Sequence, residues 1–218
     1  MFISLCISFY NLPLLKGIVN FRRRDFESHR ELFKGLKSSQ KPHTLFISCS
    51  DSRIDPNMIT GTLPGELFII RNIANIAPPY RVSSEYLATT SAIEYAVIAL
   101  GVENIIICGH SNCGGCAACL YPEGKLDDLP HTRKWLELIH PVRDCVLKEI
   151  PESEPEARAW MMEQGNVLEQ LKHLISHPYI AERMEADKLQ ISGWHCIIET
   201  GEIFIYDPNL CEFLLANG

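Results

Sequence analysis

The sequence lacks any uninterrupted apolar run of the about 18 residues that a membrane-spanning helix needs, so no membrane span is expected. Internal repeats and low-complexity linkers are also missing, which leaves no basis for a solenoid or a string of tethered modules. Basic residues are in deficit: the net charge is −7, and a nucleic-acid partner needs a basic face. The one basic cluster, Arg22-Arg23-Arg24, is followed at once by Asp25 and Glu27 and reads as a solvated helix face. An even cysteine set is absent as well. Nine cysteines in 218 residues do not make a disulfide scaffold, and they point to a reducing, cytoplasmic setting where clustered thiols serve metals or catalysis. The opening segment, residues 1–15, is apolar but has neither a basic n-region nor a small-residue cleavage site. It reads as a weakly ordered extension or the product of an upstream start codon, with periplasmic export as the alternative if it acts as a signal.

What is present is ordinary in bulk and specific in detail. Apolar residues make up 46% and charged residues 22%, as in a globular enzyme. Residues 17–38 carry Val19, Phe26, Leu32, Phe33 and Leu36 near helical spacing, which predicts an amphipathic helix. Short apolar runs at 44–48, 67–70 and 104–108 have the character of buried parallel strands. Between the second and third, Ser84 can cap a helix that Gly101 stops, with Ile93, Ala96, Val97 and Leu100 as its buried stripe. Val167, Leu168, Leu171, Leu174 and Ile175 mark a further helix, and 188–198 with 203–206 form a late hairpin around Glu199-Thr200-Gly201. The pattern predicts an α/β fold: a mostly parallel sheet with flanking helices and a late antiparallel edge strand, in one domain over 16–218.

Two segments carry the chemistry, and each directly follows a predicted strand. Cys49-Ser50-Asp51-Ser52-Arg53 follows the first; His110-Ser111-Asn112-Cys113-Gly114-Gly115, within a loop over 109–115, follows the third. Open α/β sheets place ligands at the carboxyl ends of their strands, so neighbouring parallel strands would bring the two segments together. Cys49, His110 and Cys113 then supply two thiolates and an imidazole, a donor set that favours Zn2+ and leaves one position open for catalysis. Two thiolates offset the charge of the ion, so a weaker Lewis acid and an alkaline working range are expected. Cys113, Cys116 and Cys119 sit at intervals of three, but an iron–sulfur run fails where Glu123 and Gly124 stand. On a helix, Cys116 and Cys119 are expected to turn away from Cys113. A phosphatase cradle needs a longer spacer than the three residues between Cys49 and Arg53. Cys108, Cys116, Cys119 and Cys145 read as packing.

Cys-x-Asp-x-Arg at 49–53 and His-x-x-Cys-Gly-Gly at 110–115, with Pro64-Gly65-Glu66-Leu67-Phe68 and Arg71-Asn72-Ile73-Ala74-Asn75 between them, resemble the beta-class carbonic anhydrases. The resemblance spans about residues 17–210. It implies reversible hydration of carbon dioxide to bicarbonate and a proton by zinc-bound hydroxide, which Asp51 orients. Arg53 would gate the site by holding Asp51 off the metal, since in a closed state Asp51 is the fourth ligand. By the same resemblance Gln40, Phe68, Ile73, Tyr95 and Gly114 line the substrate pocket. That pocket lies between subunits of a homodimer or tetramer, with the N-terminal helix extending across the partner subunit. A regulated branch of the family seats bicarbonate with a tryptophan and a tyrosine where this chain has Phe46 and Cys196, so bicarbonate-triggered closure is not expected. A related zinc hydrolase acting on carbon disulfide or carbonyl sulfide, and a non-catalytic metal-binding protein with Asp51 as a permanent ligand, remain as alternatives.

Overall fold

The structure, a computed structural model, describes residues 14–82, 87–122 and 124–216. The chain divides after Gln40 into two units. In the first, helix α1 (Leu14–Asn20) continues through a π-helical turn (Phe21–Asp25) into Phe26–Ser28 and, past His29, into Arg30–Gly35. The helical stretch therefore starts and ends about three residues earlier than its apolar spacing suggests. His29, at φ −114° and ψ 20°, interrupts it. Within this unit Phe26 and Phe33 stack and Phe21 meets both edge-on, while Leu14, Ile18, Val19 and Phe21 are exposed.

The second unit is built on a six-stranded sheet of order β2-β1-β3-β4-β5-β6. Its strands are β1 (Thr44–Cys49), β2 (Leu67–Asn72), β3 (Asn104–His110), β4 (Gln190–Cys196), β5 (Ile203–Asp207) and β6 (Glu212–Leu215). The first four strands in chain order run parallel, as the alternation of apolar runs and helices predicts; β5 pairs antiparallel with β4, and β6 antiparallel with β5. β1 is buried at every position because it lies between two parallel neighbours with both faces covered. β3 runs two residues past its apolar core, through His110, because β4 pairs with it to the end: Gly109 lies opposite His195 and His110 opposite Cys196. The expected loop over 109–115 is accordingly shorter. β6 adds an edge strand that the sequence reading did not include.

The helices that follow are α2 (Pro56–Thr60), α3 (Ala88–Glu94), α4 (Gly114–Cys119), α5 (Pro130–Leu136), α6 (His140–Glu149), α7 (Pro155–Ile175) and α8 (Pro178–Glu185). α3 passes into a π-helical turn (Tyr95–Leu100) that ends at Gly101, whose φ of 68° is the left-handed stop expected there. Ile93, Ala96 and Val97 are buried and Leu100 partly so; Ser84, the expected cap, lies outside the described residues.

α7 packs on β3 and β4 where both strands have glycine. A Cβ on Gly109 would stand 2.6 Å from Val167 Cγ2, and one on Gly193 2.8 Å from Val167 Cγ1. The helix thus approaches the sheet closely enough for its inward side chains to pass between the strand ends. Its buried face is Met162, Glu163, Asn166, Val167, Gln170 and Leu174, while Leu168 and Leu171 are only half-buried and Ile175 is exposed. The expected apolar stripe is therefore rotated, because three polar residues occupy core positions and bond inside the molecule.

Candidate metal centre

Cys49 closes β1 and His110 closes β3. These strands are hydrogen-bonded parallel neighbours, with Ser48 opposite Cys108, so both residues stand at the same carboxyl edge of the sheet. Cys113 follows three residues after His110 as the N-cap of α4, with extended backbone at φ −71° and ψ 116°. Asn112, in the left-handed region at φ 55°, provides the turn that swings Cys113 back; asparagine tolerates that region. Gly115 lets the start of α4 lie against the short 3-10 turn Ile73–Asn75, since a Cβ there would meet Ala74 Cβ at 2.8 Å and Ile73 Cγ2 at 3.0 Å.

The result is one cluster. The ligating atoms of Cys49, His110 and Cys113 lie within 4.8 Å of one another, and all three residues are buried. Two sulfurs bound to one tetrahedral zinc stand about 3.8 Å apart, given Zn–S bonds of about 2.3 Å, so the spacing fits. His110 Nδ1 lies 3.0 Å from Ser111 O. A carbonyl can only accept, so Nδ1 carries the proton and Nε2 presents its lone pair to the thiols. Nε2 is buried and, among the described residues, has no hydrogen-bond partner. The thiols crowd one another: contact with Cys113, then burial, pushes Cys49 up to about 12, and contact with Cys116 leads the causes that push Cys113 to about 12. A partnerless buried imidazole nitrogen beside two thiols is a donor set that a soft dication satisfies.

Around the cluster stand the residues of the first motif. Asp51 Oδ1 accepts from the Arg53 backbone N–H (3.0 Å) and Nε (2.9 Å), and Oδ2 accepts from Nη2 (2.8 Å). These bonds hold the Asp51 carboxyl well below the usual carboxylate range. Oδ2 is also 4.0 Å from His110 Nε2, so the carboxylate borders the thiol–imidazole cluster. Arg71 clasps the segment from the sheet side, with Nε on Cys49 O (3.1 Å) and Nη2 on Asp51 O (2.6 Å). Asn72, one residue on, receives the Ser50 N–H at its carbonyl (2.8 Å).

With this geometry, the match of residues 44–203 to the family model described as carbonic anhydrase is decisive. The chain belongs to the carbonic anhydrase family. A carbonic anhydrase of Helicobacter pylori strain J99 is 43% identical over 195 residues, covering 88% of each chain. The solved beta-carbonic anhydrase CcaA superposes with a TM-score of 0.87 at 38% identity, over 94% of this chain and 91% of that one. A tetrameric beta-carbonic anhydrase from Sordaria macrospora gives a TM-score of 0.72 at 32% identity, over 88% and 93%. The class is therefore beta, its members are zinc lyases, and tetrameric neighbours support oligomerisation. Among the described residues no helix is long and apolar enough to cross a membrane.

The residues expected to line the pocket fall on several elements of the chain. Ile73 packs at the start of α4 and lines a cleft of about 390 Å³ with Ser50, Asn72, His131, Thr132 and Trp135. Gly114 is the exposed first residue of α4. Phe68 pairs with Leu45, four residues before Cys49, and its ring lies 6.0 Å from that of Tyr95, which is half exposed. Gln40 is exposed and belongs to the N-terminal unit.

Cys116 departs from expectation. Its thiol lies within hydrogen-bonding reach of Cys113 because the side chains of an N-cap and of the third helical residue face each other. Asn166 Nδ2 reaches its sulfur at 3.6 Å. Motif reading also missed Glu163, whose Oε1 accepts from the Cys113 N–H at 3.0 Å. The available signal was Glu163, Asn166 and Gln170 at helical spacing, a polar line where a buried helix face should be apolar.

Proposed function

We propose that this chain catalyses the zinc-dependent reversible hydration of carbon dioxide to bicarbonate and a proton. The observation that carries this reading is the buried, partnerless Nε2 of His110 between two thiols and beside the Arg53-held carboxylate of Asp51. Cys49, His110 and Cys113 hold the metal. Zinc, when bound, supplies a water made acidic enough to give up a proton near neutral pH.

Asp51 Oδ2 accepts a hydrogen bond from the attacking oxygen and turns a lone pair toward carbon. Because Asp51 stays ionised, it accepts a hydrogen bond and does not donate one. Arg53 keeps that carboxylate from the metal through its two side-chain bonds, a charge-assisted bidentate pair. The Gly114 backbone N–H faces a substrate oxygen, and Ile73 walls the apolar side. Phe68, Tyr95 and Gln40 line the same pocket, which groups from both subunits of a homodimer or tetramer complete. The exposed Leu14, Ile18, Val19 and Phe21 support a helix that covers a partner. A cytoplasmic location accords with eight described cysteines that are free thiols.

Stopped-flow carbon dioxide hydration across pH, with metal content measured on the same sample, tests the reading. One zinc per chain and a rate that rises toward alkaline pH are expected. Zinc without activity at pH values near 8.5 would favour a non-catalytic metal protein.

A further inference from the structure

One buried pair of titratable side chains has no part in the proposed chemistry. Glu163 and His195 are both almost wholly inaccessible, at 5% and 0% exposure. Glu163 reaches inward from α7, and Oε1 takes the Cys113 N–H at 3.0 Å. Oε2 stands 3.3 Å from His195 Nε2 on β4, a close polar approach without a hydrogen bond among the described residues. The His195 ring is set edge-on to Trp160, with centroids 5.1 Å apart. A carboxylate buried this deeply is costly unless it is put to use and paired.

The N–H that Glu163 holds belongs to the same peptide unit as the Asn112 carbonyl. That carbonyl accepts from Arg53 Nη2 at 3.0 Å, the same nitrogen that binds Asp51 Oδ2. In a trans peptide the C=O and N–H point in opposite directions. Arg53 therefore grips this peptide from one side and Glu163 from the other. A flipped peptide would aim the Asn112 carbonyl at a buried carboxylate and the Cys113 N–H at a guanidinium. Both contacts bring like poles together.

We propose that Glu163, backed by His195, is a positioning residue: it fixes the Asn112–Cys113 peptide and through it both the Cys113 sulfur and the seat of Arg53. A carboxyl group suits the task because Oε1 accepts from the N–H while Oε2 lies toward His195. The proposal rests on the zinc-site reading above, and extends it from the ligands to what holds one of them.

The test compares zinc-loaded parent, Glu163→Leu and Glu163→Gln. Partners that orient metal ligands are worth about 10- to 100-fold in metal affinity, so Glu163→Leu is expected to release zinc to a chromogenic chelator at least about tenfold faster. Its cobalt-substituted form should show shifted thiolate-to-metal charge-transfer bands, which a loss of stability alone would not move. Glu163→Gln keeps an oxygen acceptor and should restore both. Parental release and an unchanged cobalt spectrum in a folded leucine variant overturn the proposal. If the leucine variant does not fold, the glutamine variant decides: an amide oxygen deshields the Cys113 amide proton less than a carboxylate does, so its NMR signal should move upfield, and an unmoved signal overturns the proposal. A parent that binds no zinc overturns the site reading and this proposal together, whereas normal zinc binding with an indifferent Glu163 overturns this proposal alone.

Discussion

Arg53 binds both carboxylate oxygens of Asp51, Nε to Oδ1 at 2.9 Å and Nη2 to Oδ2 at 2.8 Å, while Oδ2 stands only 4.0 Å from the free nitrogen of His110. Asp51 is thus near enough to matter to a bound metal and tied to the Arg53 guanidinium. Asp51→Ala should retain zinc and lose about 10²- to 10⁴-fold in hydration rate, the usual worth of a positioned proton-handling group. Arg53→Ala should also retain zinc and lose rate, because Asp51 is then released toward the metal. Metal analysis beside stopped-flow rates checks both; loss of zinc in Asp51→Ala would place the carboxylate among the permanent ligands.

The same pair gives the metal-free protein an acid-sensitive contribution to stability. In an unfolded chain Asp51 titrates at about 3.9; in the fold Arg53 holds it lower. The stabilisation is complete above the unfolded value and is lost as pH falls through the folded one. Arg53→Ala should therefore destabilise the metal-free protein at pH 7 and progressively less below about pH 4. Urea midpoints of both proteins across that range test the sign. Arg53 is about half exposed, so the effect should shrink in high salt.

Zinc binding should expel protons. Without a cation, Cys49 and Cys113 sit at about 12, yet both must be thiolates to ligate. Titration calorimetry in two buffers of different ionisation enthalpy should give about two protons released per zinc at neutral pH, and affinity should rise about 100-fold per pH unit. Cys113→Ala should lose the metal and the activity together. Release of one proton or none would mean that one of the two thiols is not a ligand.

The ligands were legible because central parallel strands have nearly continuous apolar runs, and the motifs begin where those runs end. Thr44–Cys49 and Asn104–His110 declare themselves in this way. What surrounds the ligands was not legible. Glu163 lies fifty residues from the N–H that it holds, and only its helical spacing with Asn166 and Gln170 sets it apart. Cys116 was misplaced because helical periodicity gives the direction of a side chain within a helix and not the fold-back of the N-cap before it. β6 was missed because Leu214 and Leu215 on an exposed edge lack the alternation that marks a half-buried strand.

Gly115→Ala offers a test of how tightly the metal loop is packed. The added methyl would meet Ala74 Cβ at 2.8 Å, Ile73 Cγ2 at 3.0 Å and Ala74 N at 3.2 Å. Ala74 cannot retreat easily, since its φ is already 61° and its carbonyl is held by Asn166 Nδ2 at 2.8 Å. Overpacking of this kind costs about 1–3 kcal/mol, which chemical denaturation would report. Because α4 begins one residue after Cys113, faster zinc release is expected as well. Gly114→Ala, with nothing within 4 Å of the added carbon, is the control and should do neither.

Bicarbonate should not close the site. Phe46 is fully buried, with Trp194 edge-on at 5.9 Å, in a cluster with Ile54, Cys108 and Cys196. The indole N–H that might face an anion is bonded to Ser192 Oγ at 3.0 Å, and Arg71 is engaged by the carbonyls of Cys49 and Asp51. An anion placed in this space would lose its water and gain only weak thiol donors, at a cost of several kcal/mol or more. Hydration rates should therefore fall with bicarbonate only as far as product inhibition dictates, without a cooperative loss. Crystals grown in bicarbonate should keep the Asp51–Arg53 pair intact. Asp51 found on zinc with Arg53 displaced would show that the apolar cluster opens, and that packing at Phe46 does not decide the state of the gate.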